Sequence, residues 1–158
     1  MKSFKFFFAT LFMAIVCMTT FSSCGDDNDE PANPAAKNIQ GSYKGDMECS
    51  VMGSASTFED MTFSVTATDD STVAVVLPAF GEAPMALPSI TITGVKVTEA
   101  NGVVTMTTTE VSGQTDTGKS YTCTLSGTVE NSTLNIKFNL QYGAMPMPMI
   151  CSSTAQKQ

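Results

Sequence analysis

Beyond about Asn38, apolar and polar residues alternate with a period of two. Tyr43, Met47, Cys49 and Val51 share one parity, with Gly41 and Gly45 between them, and Ser42, Lys44, Asp46, Glu48 and Ser50 take the other. Such a pattern belongs to a half-buried strand. Met61, Phe63, Val65 and Ala67 alternate with Thr62, Ser64, Thr66 and Thr68, and Val73, Val75 and Leu77 follow the Asp69-Asp70-Ser71 turn. Ile90 and Ile92 share a face, but after Gly94 the apolar residues Val95 and Val97 change parity, which predicts a bulge or barrel corner. Val104 and Met106 follow Asn101-Gly102, a strong hairpin signal. Tyr121, Cys123 and Leu125 precede a turn at Glu130-Asn131-Ser132, after which Leu134, Ile136, Phe138 and Leu140 alternate with Asn135, Lys137, Asn139 and Gln141. A last strand is read around Met145 to Ser152, interrupted by two prolines.

The pattern predicts an all-β chain of about eight antiparallel strands joined by short turns. No stretch after Cys24 repeats convincingly at 3.6 residues. Sequential hairpins with inward alternation favour an up-and-down barrel, because closure removes exposed edges. A two-sheet sandwich has the same strand count and is the other architecture. The domain is read as 38–158, with Tyr43, Met47, Phe63, Tyr121 and Phe138 as inward residues that would line a ligand cavity. An eight-stranded barrel can be packed solid or hold one ligand, and the pattern does not choose.

The N-terminus obeys different rules. Lys2 and Lys5 precede an apolar run of 13 residues, Phe6 to Met18. A span of the bilayer needs about 20 such residues, so the run reads as a secretory signal peptide over 1–23. Phe21-Ser22-Ser23-Cys24 resembles a bacterial lipobox. That resemblance implies cleavage before Cys24, a diacylglyceryl group on its thiol and acylation (palmitate or similar) of the new amine. Two or more chains hold firmly where one binds marginally. Residues 24–37 carry four acids within 26–30 and then prolines, and read as a disordered, acidic, lipidated tether. The acidic run resembles the signal that sends Bacteroidetes lipoproteins to the outer face of the outer membrane. It implies cell-surface display, with the periplasmic leaflet as the alternative.

Charge and composition remove several classes of function. The chain has no His, no Trp and a net charge of −7, which becomes −9 once Lys2 and Lys5 leave. So acidic a chain does not neutralise nucleic-acid phosphates. Without His there is no Ser-His-Asp or Cys-His nucleophilic site and no imidazole metal ligand. No catalytic constellation stands out, and no cofactor is expected. Met145-Pro146-Met147-Pro148-Met149 offers alternating thioethers, which suit Cu(I) but also any strand that faces a core, and no metal site is expected. Asp69-Asp70 and Glu59-Asp60 read as turn acids, and Asp26, Asp27, Asp29 and Glu30 as solvated charge.

Three cysteines remain after Cys17 leaves and Cys24 is lipidated. Cys49 and Cys123 share inward parity. Cys49 and Cys151 fall late in the first and last strands, which would put them at opposite ends of a barrel. The expectation is therefore three free, buried thiols rather than a disulfide.

Gly41-Ser42-Tyr43-Lys44-Gly45, Leu77-Pro78-Ala79-Phe80-Gly81 running into Leu87-Pro88-Ser89-Ile90-Thr91-Ile92-Thr93-Gly94-Val95, and Tyr121-Thr122-Cys123-Thr124-Leu125-Ser126-Gly127-Thr128-Val129 together resemble the calycin-like barrel family of Bacteroidetes lipoproteins. The likeness covers about residues 38–152 and implies a fold more than an activity. Gly41-Ser42-Tyr43 is also similar to the Gly-x-Trp that opens lipocalin barrels, where an arginine of the last strand covers the aromatic ring; this chain has no arginine. Asp70-Ser71-Thr72 resembles the short motif at which Bacteroidetes exported proteins are O-glycosylated, which makes Ser71 a candidate acceptor.

The functional expectation is a non-catalytic surface lipoprotein whose barrel binds a small hydrophobic or amphipathic ligand. The alternative is an interaction module that contacts another envelope protein or a glycan, with the apolar, proline-punctuated segment 78–89 as its contact loop.

Overall fold

The structure, a computed structural model, describes residues 34–158. A four-residue helix α1 (Ala35–Asn38) precedes nine strands: β1 (Gly41–Val51), β2 (Ser54–Ala67), β3 (Thr72–Leu77), β4 (Ile90–Ala100), β5 (Val103–Thr107), β6 (Val111–Gln114), β7 (Ser120–Glu130), β8 (Thr133–Tyr142) and β9 (Met149–Lys157). Every pairing is antiparallel, and eight strands close a ring in the order β1-β2-β3-β4-β5-β7-β8-β9, with β9 back on β1. The up-and-down barrel is thus the architecture, and the sandwich is not.

The ninth strand arises from a break. The second half of β7 pairs with β5 through Ser126–Val129, and its first half pairs with β6 through Ser120–Cys123. β5 and β6 therefore share one side of β7, interrupted at Thr108, whose N–H donates to the Leu125 carbonyl at 2.9 Å.

Turn chemistry explains the hairpins. Met52-Gly53, Asn101-Gly102 and Asn131-Ser132 all have both central residues at positive φ, the backbone that matches the twist of adjoining strands. Two extra residues bend the sheet. The β3–β4 register shifts between Val73 and Val75, opposite Gly94 at φ +70°, which accounts for the parity change there. The β1–β2 register shifts between Gly45 and Met47, opposite Asp60 at φ +57°. Glu59-Asp60 is therefore not a turn but a bulge within β2, where the Asp60 N–H donates to Asp46 Oδ1 at 3.1 Å and its carboxylate meets Lys44 Nζ at 2.9 Å.

Three boundaries differ from the sequence reading. β2 begins seven residues before Met61, because its first half is largely exposed and carries Phe58 as its one large apolar residue, too little for an alternation signal. β9 is Met149–Lys157 rather than 145–152, since its inward residues Cys151, Ser153 and Ala155 are small and carry little hydropathic signal. The last residues of the tether segment are structured: Ala35 and Ala36 of α1, with Ile39, are buried against the core. Small apolar side chains fit the ring's opening, and Gln40 Oε1 accepts from Ala67 N–H at 3.2 Å. This end, where the chain enters the barrel, also holds the Lys37–Asp70 ion pair at 3.3 Å. The expected signal peptide, Cys24 and the acidic run lie outside the described residues.

Candidate functional site

The interior is occupied by the protein itself. Tyr43, Met47, Phe63 and Phe138, four of the five expected ligand-lining residues, are at most 1% exposed and pack with Ile92, Met106, Leu134 and Ile136. Each is a core side chain, in contact with others on every side. The fifth, Tyr121, is half-buried and does something else. Its ring lies over Gly113 of β6, where a Cβ would come within 2.7 Å of its hydroxyl, and that hydroxyl donates to the Thr91 carbonyl of β4 at 3.3 Å. Tyr121 thus links β7 to β4 across the short β6.

Tyr43 closes the entry end. Its hydroxyl donates to the Ile39 carbonyl at 2.6 Å, and burial pushes its pKa up. Lys157, near the end of the last strand, sets its ammonium 6.0 Å from the ring centroid, within reach of a cation–π contact, while Nζ donates to the Asn38 carbonyl. The lysine stem crosses Gly41 so closely that a Cβ there would lie 2.7 Å from Lys157 Cε. A last-strand cation therefore covers the opening aromatic although the chain lacks arginine. Sequence reasoning missed Lys157 because the last strand was placed too early to include it.

The cysteine expectation is corrected. Cys49 and Cys151 form a disulfide, with Cα atoms 4.1 Å apart, and Cys123 is the free thiol. With β9 starting at Met149, Cys151 is early in its strand, and antiparallel pairing sets it directly opposite Cys49, late in β1. Burial pushes the Cys123 thiol up to about 11, so it is inert at neutral pH.

Three of the open hollows among the described residues lie outside the packed interior. One is a trough of about 740 Å³ on the outer face of β1, β5, β7, β8 and β9, walled by hydroxyl and charged residues such as Thr105, Thr128, Asn135 and Lys137. A small one of about 280 Å³ lies beside Glu110, Asn139 and Pro148. The third, about 410 Å³, is at the mouth opposite the entry end. Pro84, Met85 and Ala86 come from the β3–β4 loop, Tyr142, Gly143, Ala144 and Met145 from the end of β8 and beyond, and Lys119 from the β6–β7 turn.

Local folding explains this mouth. Within segment 78–89, Phe80 and Leu87 exchange both backbone hydrogen bonds, at 3.2 and 2.8 Å, and both are buried. The Phe80 ring packs on Phe58 at 5.1 Å between centroids. The loop's base is thus pinned, and its tip carries Met85 out to 67% exposure. The Thr115–Lys119 turn closes through Gly118 at φ +75° and the Thr115 N–H on the Lys119 carbonyl at 2.9 Å. Lys119 then sets its ammonium 5.5 Å above the Tyr142 ring. Hydroxyls of Thr117 and Thr115, and then the Lys119 charge, hold the Tyr142 phenol below its usual pKa. Gln141 Nε2 donates to the Met145 carbonyl, fixing the far wall.

The methionine run does not converge: Met149 is buried, Met145 half-buried and Met147 exposed. Among the described residues no group of three or more His, Cys, Asp or Glu could hold a metal. Ser71 stands exposed in the β2–β3 turn, its Oγ donating to Asp69 Oδ1 at 3.2 Å.

Comparison with known proteins agrees with this architecture. One solved structure, from Bacteroides fragilis and provisionally named an outer membrane protein, is similar at 27% identity with a TM-score of 0.69. The match covers 78% of this chain and 53% of that one, so the present chain spans about half the length of its solved counterpart. No curated protein matches. The profile of the calycin-like beta-barrel domain matches residues 39–151, from the residue that plugs the entry end to the second half-cystine, and the chain belongs to that family.

Proposed function

We propose that this protein is an outer-membrane lipoprotein, held by acyl chains on Cys24 and displayed at the cell surface, whose barrel binds a small hydrophobic or amphipathic ligand without catalysis. The ligand sits at the mouth and not inside the ring. The observation that carries this reading is a filled interior beside a 410 Å³ mouth hollow walled by Met85, Met145, Pro84 and Tyr142. Its size is within the range of small-molecule sites, and methionine walls adapt to varied shapes. The name of the Bacteroides fragilis neighbour supports the envelope location.

The test uses the chain from residue 24 with Cys24→Ser, which keeps every side chain of the barrel, and 1-decanol as a neutral apolar probe. Methyl-labelled methionine spectra should show Met85 and Met145 shifting while Met47 and Met106 stay fixed. Shifts at Met47 and Met106 instead would return the site to the interior, and unchanged spectra would end the ligand reading. The anchor is tested separately: Cys24→Ser should move the protein from the membrane to the soluble fraction. A mature mass equal to polypeptide plus lipid would exclude a sugar on Ser71.

A second reading has an observation of its own. Met52, Met85, Met147 and Ile150, at 78, 67, 49 and 58% exposure, are large apolar side chains turned to solvent. All belong to turns, loops or a strand start at the mouth end. They suit contact with another envelope protein, and loss of an in-cell crosslink on deleting residues 82–86 would favour that reading.

A further inference from the structure

The mouth hollow carries one charged side chain, and its placement sets the class of ligand. Lys119 is the cation that lines the hollow; Lys37 and Lys44 are ion-paired elsewhere, and Lys157 sits over Tyr43 at the opposite end. No carboxylate of the described residues lies within salt-bridge distance of the Lys119 ammonium. Its stem runs past Gly143, where a Cβ would be 3.8 Å from Lys119 Cδ, so the backbone there gives the side chain a bed. The ammonium is thereby held over the Tyr142 ring at 5.5 Å, at the edge of walls made by Met85, Ala86, Ala144 and Met145.

We infer that the mouth takes a singly charged anionic amphiphile, an aliphatic or aromatic carboxylate whose charged head meets Lys119 and whose apolar body lies along Met85 and Met145. This deepens the ligand reading proposed above and rests on it. The chemistry is complementary at both poles. Methionine and alanine methyls give an apolar body contact surface, and the ammonium keeps donors free for a carboxylate, since the aromatic face engages it without using a hydrogen bond. An exposed ion pair by itself contributes little. Here the ligand's own body would cover the ammonium and exclude water from the pair, which strengthens a charge-assisted hydrogen bond.

The experiment compares decanoate, 1-decanol and decylamine on the mature chain carrying Cys24→Ser, read by methyl-labelled methionine spectra and titration. Decanoate should shift the Met85 and Met145 methyls and bind roughly five- to tenfold more tightly than decanol, with decylamine weakest. Lys119→Met should abolish the preference for decanoate over decanol and decylamine, and Lys119→Arg should retain it. Equal binding of all three probes, or a decanoate preference that survives Lys119→Met, overturns the anionic assignment and leaves the mouth reading standing. Absence of Met85 and Met145 shifts with every probe overturns both.

Discussion

Asp69 organises the β2–β3 turn through its carboxylate. It accepts from the Thr72 hydroxyl and from the Ser71 N–H, and these bonds hold its pKa below the usual carboxylate range. The ionised form is therefore favoured by folding. Its contribution is complete above the unfolded pKa of about 4 and fades as pH falls through the lower folded value. Asp69→Ala should melt earlier than the parent at pH 7, and the gap should narrow in thermal scans as pH falls below the ordinary carboxylate range. Cys123 gives a second check. In the chain from residue 24 with Cys24→Ser, a thiol reagent at pH 8 should find nothing in the native protein, one thiol after unfolding and three after reduction. The core aromatics were legible from alternation, because parity on a strand reports burial directly. Truncating one of them, Phe63→Ala, should cost about 3–5 kcal/mol in urea unfolding. Lys157 was not legible, since its role depends on a close approach to Gly41 that no local pattern encodes.

Close strand approach has its own requirement at the level of elements. At Gly45 a Cβ would stand 2.2 Å from the Thr154 carbonyl oxygen and 2.8 Å from Ala155 Cα, both backbone atoms that cannot swing aside. At Gly94 a Cβ would meet nothing, and the strain comes from φ +70° alone. Gly45→Ala should therefore destabilise by about 1–3 kcal/mol or more, and Gly94→Ala by about 1–2 kcal/mol, in parallel denaturant titrations. The opposite order would mean that β9 yields easily. Strands with large inward residues, such as β8, were readable from end to end. β6 and the tail of β9 were not, because four residues such as Val-Ser-Gly-Gln, or small inward residues such as Ser153 and Ala155, give weak alternation. The mouth was legible only in part. Segment 78–89 announced itself by composition, but its partners come from residues 119 and 142–145, joined to it only by folding.

For the whole molecule, the first and last strands are joined twice, by a backbone ladder and by sulfur. The Cys49–Cys151 bond spans a sequence separation of 102, so it restricts most of the unfolded chain. In a chain-entropy account a loop of this length stabilises by roughly 4–5 kcal/mol. The paired change Cys49→Ser and Cys151→Ser should lower stability by about 2–5 kcal/mol while circular dichroism of the native protein stays unchanged, because the β1–β9 ladder does not need the bridge. The ring itself was foreseeable from sequential hairpins, but its covalent seam was not: one misplaced strand boundary put Cys151 late in its strand instead of early. The seam has a further result under proteolysis. Segment 78–89, the Thr115–Lys119 turn and the Gly143–Pro148 connection all fall between the two half-cystines. A single cut in any of them opens a loop without parting the pieces. On a gel, such clipped material should run as one species until a reductant is added, and only then as two.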